Sequence, residues 1–241
     1  MLDKKPSTIG RMFDRIALRY DLVNRVLSLW IDQTWRHITV RNLTVKPGDR
    51  VLDIATGTGD LALRALQSEK MCRVVGIDLS QEMLAIASRK SRRRGFSDRS
   101  FFVNGDALLL PFRDGVFDRA MVAFGIRNMN NIEAFLDELH RVITVGGRAA
   151  ILEFSLPSNP LIRHIYLVYL TRILPLVGRF LSGDDGAYRY LTDSVLEFSS
   201  PSLLRKFMRK RGFDLIGSQR LFFGIAHLFI LARKQRPTEM I

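Results

Sequence analysis

The chain has 241 residues, 47% hydrophobic and 25% charged, enough for one large domain with a sizeable core. That balance excludes disordered and collagen-like architectures, and a single cysteine, Cys72, excludes an internal disulfide framework and fits a reducing compartment. Lys and Arg number 37 against 24 Asp and Glu, a formal charge of +13, which points to an anionic partner; without zinc spacing or aromatic–basic interleaving, nucleic acid is not the expected one.

Met1 to Ser7 has no apolar run and does not read as a signal peptide. Residues 7–43 place apolar side chains at helical spacing (Ile9, Met12, Phe13, Ile16, then Val23, Val26, Leu27), so residues 1–45 are expected to form an N-terminal helical cap. Lys46-Pro47-Gly48-Asp49 is a turn. Strands follow at Arg50–Ile54, Arg73–Ile77, Ser100–Val103, Asp118–Phe124 and Arg148–Phe154. Helices alternate with them, one from Gly59 to Gln67, one N-capped by Ser80, and one from Ile132 to Ile143 that ends at Gly146-Gly147. The basic run Arg89 to Arg94 falls where a helix ends and complements its dipole.

The pattern changes after residue 156. Residues 157–200 are rich in Pro, Tyr and Leu and read as a helical lid insertion. The apolar stretch Leu161 to Val177 is interrupted by Arg163, His164, Arg172 and Pro175 and is too short and charged to span a bilayer. Residues 201–234 supply a helix from Ser202 to Arg211 and two strands, Phe213–Gln219 and Ile225–Arg233, paired as an antiparallel hairpin; residues 235–241 form a frayed tail. The expected fold is α/β. A Rossmann-like, seven-stranded, mostly parallel sheet carries helices on both faces and an antiparallel last strand, with residues 46–156 as its core.

The most informative segment is Asp53-Ile54-Ala55-Thr56-Gly57-Thr58-Gly59, followed nineteen residues after Gly59 by Asp78. Gly57 to Ala62 matches a dinucleotide fingerprint formally. Asp53, however, lies inside the strand four residues before Gly57, and an acid beside a pyrophosphate would repel it. S-adenosylmethionine suits such a pocket better: it carries a sulfonium and an ammonium and no phosphate. Gly57, Thr58 and Gly59 let backbone approach the methionine part, Asp78 with Leu79 takes the ribose hydroxyls, and Asp106 with Ala107 meets the adenine after the third strand. Ala123, ending strand four, completes the cofactor set. No residue is expected to bind a metal.

At these residues the chain resembles the class I S-adenosylmethionine-dependent methyltransferases and, within them, the ubiquinone/menaquinone biosynthesis C-methyltransferases. The closer resemblance rests on Tyr20-Asp21-Leu22-Val23-Asn24, Ser28, Trp35-Arg36, Phe124-Gly125-Ile126-Arg127-Asn128, Leu152-Glu153-Phe154-Ser155 and Tyr188-Arg189-Tyr190-Leu191, and spans Met12 to Lys234. Three places depart from the family pattern: Trp30 stands where a small residue is expected, Leu221-Phe222-Phe223-Gly224 is bulkier than the usual glycine-rich turn, and Ala123 lies where some members carry a hydroxyl side chain.

The resemblance implies methyl transfer from S-adenosylmethionine to a ring carbon of a prenylated quinol, or alternatively to another apolar small molecule. Arg127, Asn128 and Tyr20 are the expected catalytic residues. Because arginine stays protonated, Arg127 is expected to stabilise a developing phenolate or to organise a water, with an ion pair to Asp21 or Glu153 as its plainer alternative. Tyr20, Asp21, Asn24, Phe124, Arg127 and Tyr188 are expected around the substrate. The apolar lid is expected to line an isoprenoid channel, with core packing or a homodimer surface as alternatives. A cytoplasmic protein with peripheral contact at an anionic membrane face would use the +13 charge.

Overall fold

Five apolar runs form parallel strands: β1 (Arg50–Ile54), β2 (Arg73–Asp78), β3 (Ser100–Asn104), β4 (Phe117–Ala123) and β5 (Ile143–Phe154). With β6 (Phe213–Leu221) and β7 (Ala226–Arg233) they make a seven-stranded sheet of order β3-β2-β1-β4-β5-β7-β6, in which β7 runs antiparallel to both its neighbours. The structure, a computed structural model, describes residues 2–182, 184–198 and 200–234. The tail expected at 235–241 lies outside the described residues.

The helices are α1 (Pro6–Ser28), α2 (Ile31–Leu43), α3 (Asp60–Ser68), α4 (Gln81–Arg93), α5 (Ile132–Val142), α6 (Pro160–Val168), α7 (Leu174–Ser182), α8 (Asp185–Glu197) and α9 (Pro201–Lys210). Successive strand residues point to opposite faces, and both faces are covered, so the strands read as continuous apolar runs. Val51, Met121, Leu152 and Ile230 pack under α2 and α3, whereas Leu52, Val122, Ile151 and Phe229 pack under α5 and α9. Ser80 caps α4 as expected, accepting from the Met83 amide at 3.1 Å.

Three local expectations change. Gly146-Gly147 does not end a helix: α5 stops at Val142, and β5 starts at Ile143, passes through both glycines and pairs with β4 across a bulge. Phe124 leaves β4 and turns back at φ +59°, its amide donating to the Leu152 carbonyl at 2.8 Å. The apolar stretch of the lid is longer than its sequence suggested. Residues Pro160–Phe180 form one helical run of 21 residues, long and apolar enough to cross a membrane by length and composition. A π turn at Tyr169–Ile173 joins α6 to α7. Pro175 stands two residues beyond it, lacking an N–H and crowding the carbonyl one turn back, which is a physical reason for the wide turn.

Cap and lid are one layer. Met12, Ile16 and Val23 of α1 share a buried cluster with Tyr166, Leu170, Leu174, Tyr188 and Val195. The sheet order reverses between β1 and β4, and α/β sheets open a ligand crevice at the carboxyl ends of strands beside such a reversal.

Candidate active site

The two turns at the reversal touch. Ala55 sits at φ +53° and Gly57 at φ +56°, folding the chain sharply after β1. A side chain at Gly125 would place its Cβ 2.7 Å from the Ala55 Cβ, so only glycine lets the β4 turn come this close.

A small cavity of about 80 Å³ opens beside these turns. Gly57, Asp78, Leu79, Asp106, Ala107 and Ala123 line it, six of the nine residues expected at the cofactor, together with Asn128. Asp78 ends β2 with its Oδ2 accepting from the Gly57 amide at 2.8 Å and its Oδ1 from the Ser80 amide at 2.9 Å, which leaves each oxygen a lone pair. Burial raises its pKa above the usual carboxylate range. Asp106 Oδ1 accepts from the Leu108 amide at 2.9 Å. Lys4, Pro6 and Ile9 at the start of α1 roof the cavity.

Asp53, Thr58 and Gly59, expected at the cofactor, do not line this cavity. Asp53 is buried behind the turn, its Oδ2 accepting from the Thr56 hydroxyl at 2.6 Å and the Ala62 amide at 3.0 Å, and burial pushes its pKa up to about 7. Its direct work is to brace the turn and the first amides of α3. Gly59 is the cap of α3 and packs on α4, where a Cβ would meet the Ala87 Cβ at 2.9 Å. The Thr58 hydroxyl donates to Asp21 Oδ1 at 2.5 Å.

Asp21, expected at the substrate, lines neither cavity. Lys90 donates to it at 2.9 Å and also pairs with Asp60, which Arg25 reaches at 3.1 Å. This network ties α1 to α3 and α4. One member of the basic run is therefore consumed in holding the cap down.

A larger cavity of about 440 Å³ lies between cap, lid and sheet. It holds Tyr20, Asn24, Phe124, Arg127 and Tyr188, five of the six residues expected at a substrate. Phe13, Tyr20 and Phe124 line both cavities and so form the partition between them. The walls are largely aromatic and aliphatic. The Phe124 and Phe154 rings lie 4.4 Å apart, with Trp35 edge-on to Phe154.

Arg127 is the dominant charge. Its Nη1 donates to Glu153 Oε1 at 2.8 Å and to the Phe124 carbonyl, its amide donates to Glu153 Oε2 at 3.2 Å, and its Nε donates to Ser194 Oγ at 3.3 Å. Glu153, not Asp21, is its ion partner. The guanidinium stands 5.2 Å over the Phe154 ring. Nη2 has no hydrogen-bond partner among the described residues, leaving donors for a ligand. Tyr20 hydrogen-bonds Asn24, and burial raises its phenol pKa against the pull of Arg127 and Arg36. Asn128 accepts from the Tyr190 hydroxyl of the lid at 3.2 Å.

Three polar residues escaped the sequence reading as site residues. Arg36 pairs with buried Asp32 at 2.6 Å and stands 5.6 Å over Phe124. Ser28 donates to the same Asp32 at 2.9 Å. The signal was present, since Ser28 and Trp35-Arg36 belong to the resemblance, but nothing in a helical pattern says which turn faces a cavity. Among the described residues, no group of three His, Cys, Asp or Glu side chains lies close enough to hold a metal.

Comparison with known proteins agrees with this arrangement. The ubiE/COQ5 methyltransferase family model matches residues 1–233. A demethylmenaquinone methyltransferase of Thermus thermophilus is 45% identical over 219 residues, 91% of this chain and 98% of that protein. A ubiquinone/menaquinone biosynthesis C-methyltransferase of Geotalea uraniireducens is 40% identical over 230 residues, covering 95% and 97%. Among solved structures, the [4+2]-cyclase SpnF superposes with a TM-score of 0.70 at 18% identity over 95% of this chain and 96% of that one, a likeness of fold alone. With a strand-end acid pocket, an aromatic cavity beside it and these matches along nearly its whole length, the chain belongs to the ubiE/COQ5 methyltransferase family.

Proposed function

We propose that this enzyme moves the methyl group of S-adenosylmethionine to a ring carbon of a prenylated quinol, a demethylmenaquinol-to-menaquinol type of reaction. The observation that carries it is the pair of cavities meeting at Phe13, Tyr20 and Phe124, one bearing acids and the other largely apolar, with the Arg127 guanidinium and the Arg36–Asp32 ion pair in its wall. The small cavity suits the donor in chemistry: Asp78 and Asp106 offer acceptors, and a Cβ at Gly57 would meet nothing within 4 Å, so its backbone borders open space. Its volume is below the roughly 300 Å³ of usual small-molecule sites, so the Lys4–Ile9 roof has to give way on binding. When bound, the donor supplies an electrophilic methyl on sulfur.

The protein's own task is to make an aromatic carbon nucleophilic and hold it in line. Ionising a ring hydroxyl raises electron density at the neighbouring carbon. Nη2 of Arg127 is suited to stabilise that phenolate, because Glu153, the Phe124 carbonyl and Ser194 already fix the guanidinium's orientation. Arg127 itself does not take the proton. Tyr20 is suited to donate at the partition, and the aromatic walls to exclude water from ring and tail. The two relatives named above, called a demethylmenaquinone methyltransferase and a ubiquinone/menaquinone C-methyltransferase, support the substrate class.

Mass spectrometry of S-adenosylmethionine reactions with demethylmenaquinol and with the demethylated ubiquinol precursor, side by side, tests this. Methyl incorporation on a ring carbon of at least one is expected. Turnover of neither, with S-adenosylmethionine bound, would reject the acceptor class.

A further inference from the structure

The outer face of the lid is apolar where a soluble helix is normally polar. Tyr166, Leu170 and Leu174 turn inward and are buried. On the other side Leu161, Ile165, Val168, Ile173, Leu176 and Phe180 are 37–88% exposed. Their spacing is four, three, five, three and four residues. The five-residue step spans the π turn, whose wider pitch brings Ile173 back onto the line of Val168. The wide turn thus keeps one continuous apolar stripe along α6 and α7. No Asp or Glu occurs from residue 156 to 182, while Arg163, Arg172 and Arg179 do.

The stripe runs into the mouth of the large cavity, which Ile165 also lines. Two further pairs stand nearby. Leu29-Trp30 sits at φ +49° and +61°, and Phe222-Phe223 at φ +44° and +58°, all four 48–76% exposed. Leu29, Phe222 and Phe223 line the cavity. Bulky side chains are disfavoured in left-handed conformation, where glycine or asparagine sits without strain. Backbone strain here holds large apolar groups out in solvent around an opening.

We propose that this rim and stripe dock on the surface of an anionic phospholipid bilayer, with the cavity mouth against the lipid. Apolar side chains enter the acyl boundary, tryptophan suits the interface, and the arginines meet lipid phosphates. The inference rests on the methyl-transfer reading for its purpose, since a prenyl tail then passes from bilayer to cavity without crossing water, but its test uses no quinol.

The full chain is floated with phosphatidylcholine vesicles, with and without phosphatidylglycerol, at low and high salt. Binding to the phosphatidylglycerol vesicles is expected, weakened by salt. Phe223→Gly should lower partition about tenfold, yet leave Tm within about 2 °C or raise it, because glycine takes that φ without strain. The pair Leu176→Gln and Phe180→Gln, outside the cavity lining, should lower partition comparably. No binding to anionic vesicles, or variants that bind like the parent, would overturn the proposal. So would a stable dimer in sedimentation that the L176Q/F180Q pair dissociates, since a second copy would then cover the stripe. A negative flotation result leaves methyl transfer standing, and a failed methyl-transfer assay leaves flotation standing.

Discussion

Arg127 Nη1 and Glu153 Oε1 meet at 2.8 Å with both side chains 5% or less exposed. A pair this deep neutralises much of the guanidinium's charge and fixes its plane. What remains for a ligand is direction: among the described residues, none hydrogen-bonds Nη2.

Arg127→Lys is expected to lower kcat about 10²-fold while changing S-adenosylmethionine affinity little, because lysine keeps charge and loses the fork. Arg127→Ala strands the Glu153 carboxylate and should cost about 3–5 kcal/mol of stability. Adding Glu153→Gln to it should restore much of that stability and none of the activity. Chemical denaturation and steady-state kinetics on the three variants check this.

Tyr20 stays protonated through the neutral range, because burial lifts a phenol that already titrates near 10. Tyr20→Phe should therefore lower kcat about tenfold without moving either limb of a pH–rate profile between pH 6 and 9. A limb that disappears in the variant would make Tyr20 the titrating group and contradict the role of donor.

Asp78→Asn keeps an acceptor for one backbone amide and loses the charge that would hold two hydroxyls. S-adenosylmethionine affinity should fall about 10–100-fold, read by calorimetry, and the Tm of the ligand-free protein should fall modestly because one backbone amide loses its acceptor.

Asp53 gives a pH signature. Its folded pKa, about 7, lies above its unfolded value near 3.8, so the folded state holds the proton more tightly. Its favourable contribution is full below pH 4 and is lost as pH rises through 7. Asp53→Asn preserves acceptance from Thr56 and Ala62 and removes that loss. Ligand-free Asp53→Asn should be more stable than the parent at pH 8, by about 1–2 kcal/mol, with the advantage shrinking through pH 5 and gone below pH 4. Thermal melts across pH decide it.

The substrate side shows where a linear reading stops. Asp21 and Asn24 lie three residues apart on one helix, and both belong to the same resembling segment. Asn24 lines the cavity, and Asp21 turns to Lys90 and Thr58. One turn of helix separates binding from anchoring, and only packing against α4 tells them apart. Arg36 was missed for the same reason. Asp53 was read rightly as an unusual acid in a strand, but its partners are the Thr56 hydroxyl and the Ala62 amide, within nine residues of it.

Local chemistry wrote the sheet and its crevice into the chain. Apolar runs, glycines at tight turns and acids at strand ends carry their meaning over a few residues, so β1, β2 and the Ser80 cap are readable by inspection. Tertiary structure alone decided that Glu153 would hold Arg127 and that cap and lid would share one core. Those outcomes depend on contacts between residues 26 to more than 150 positions apart, whose geometry exists only once the sheet has brought them together.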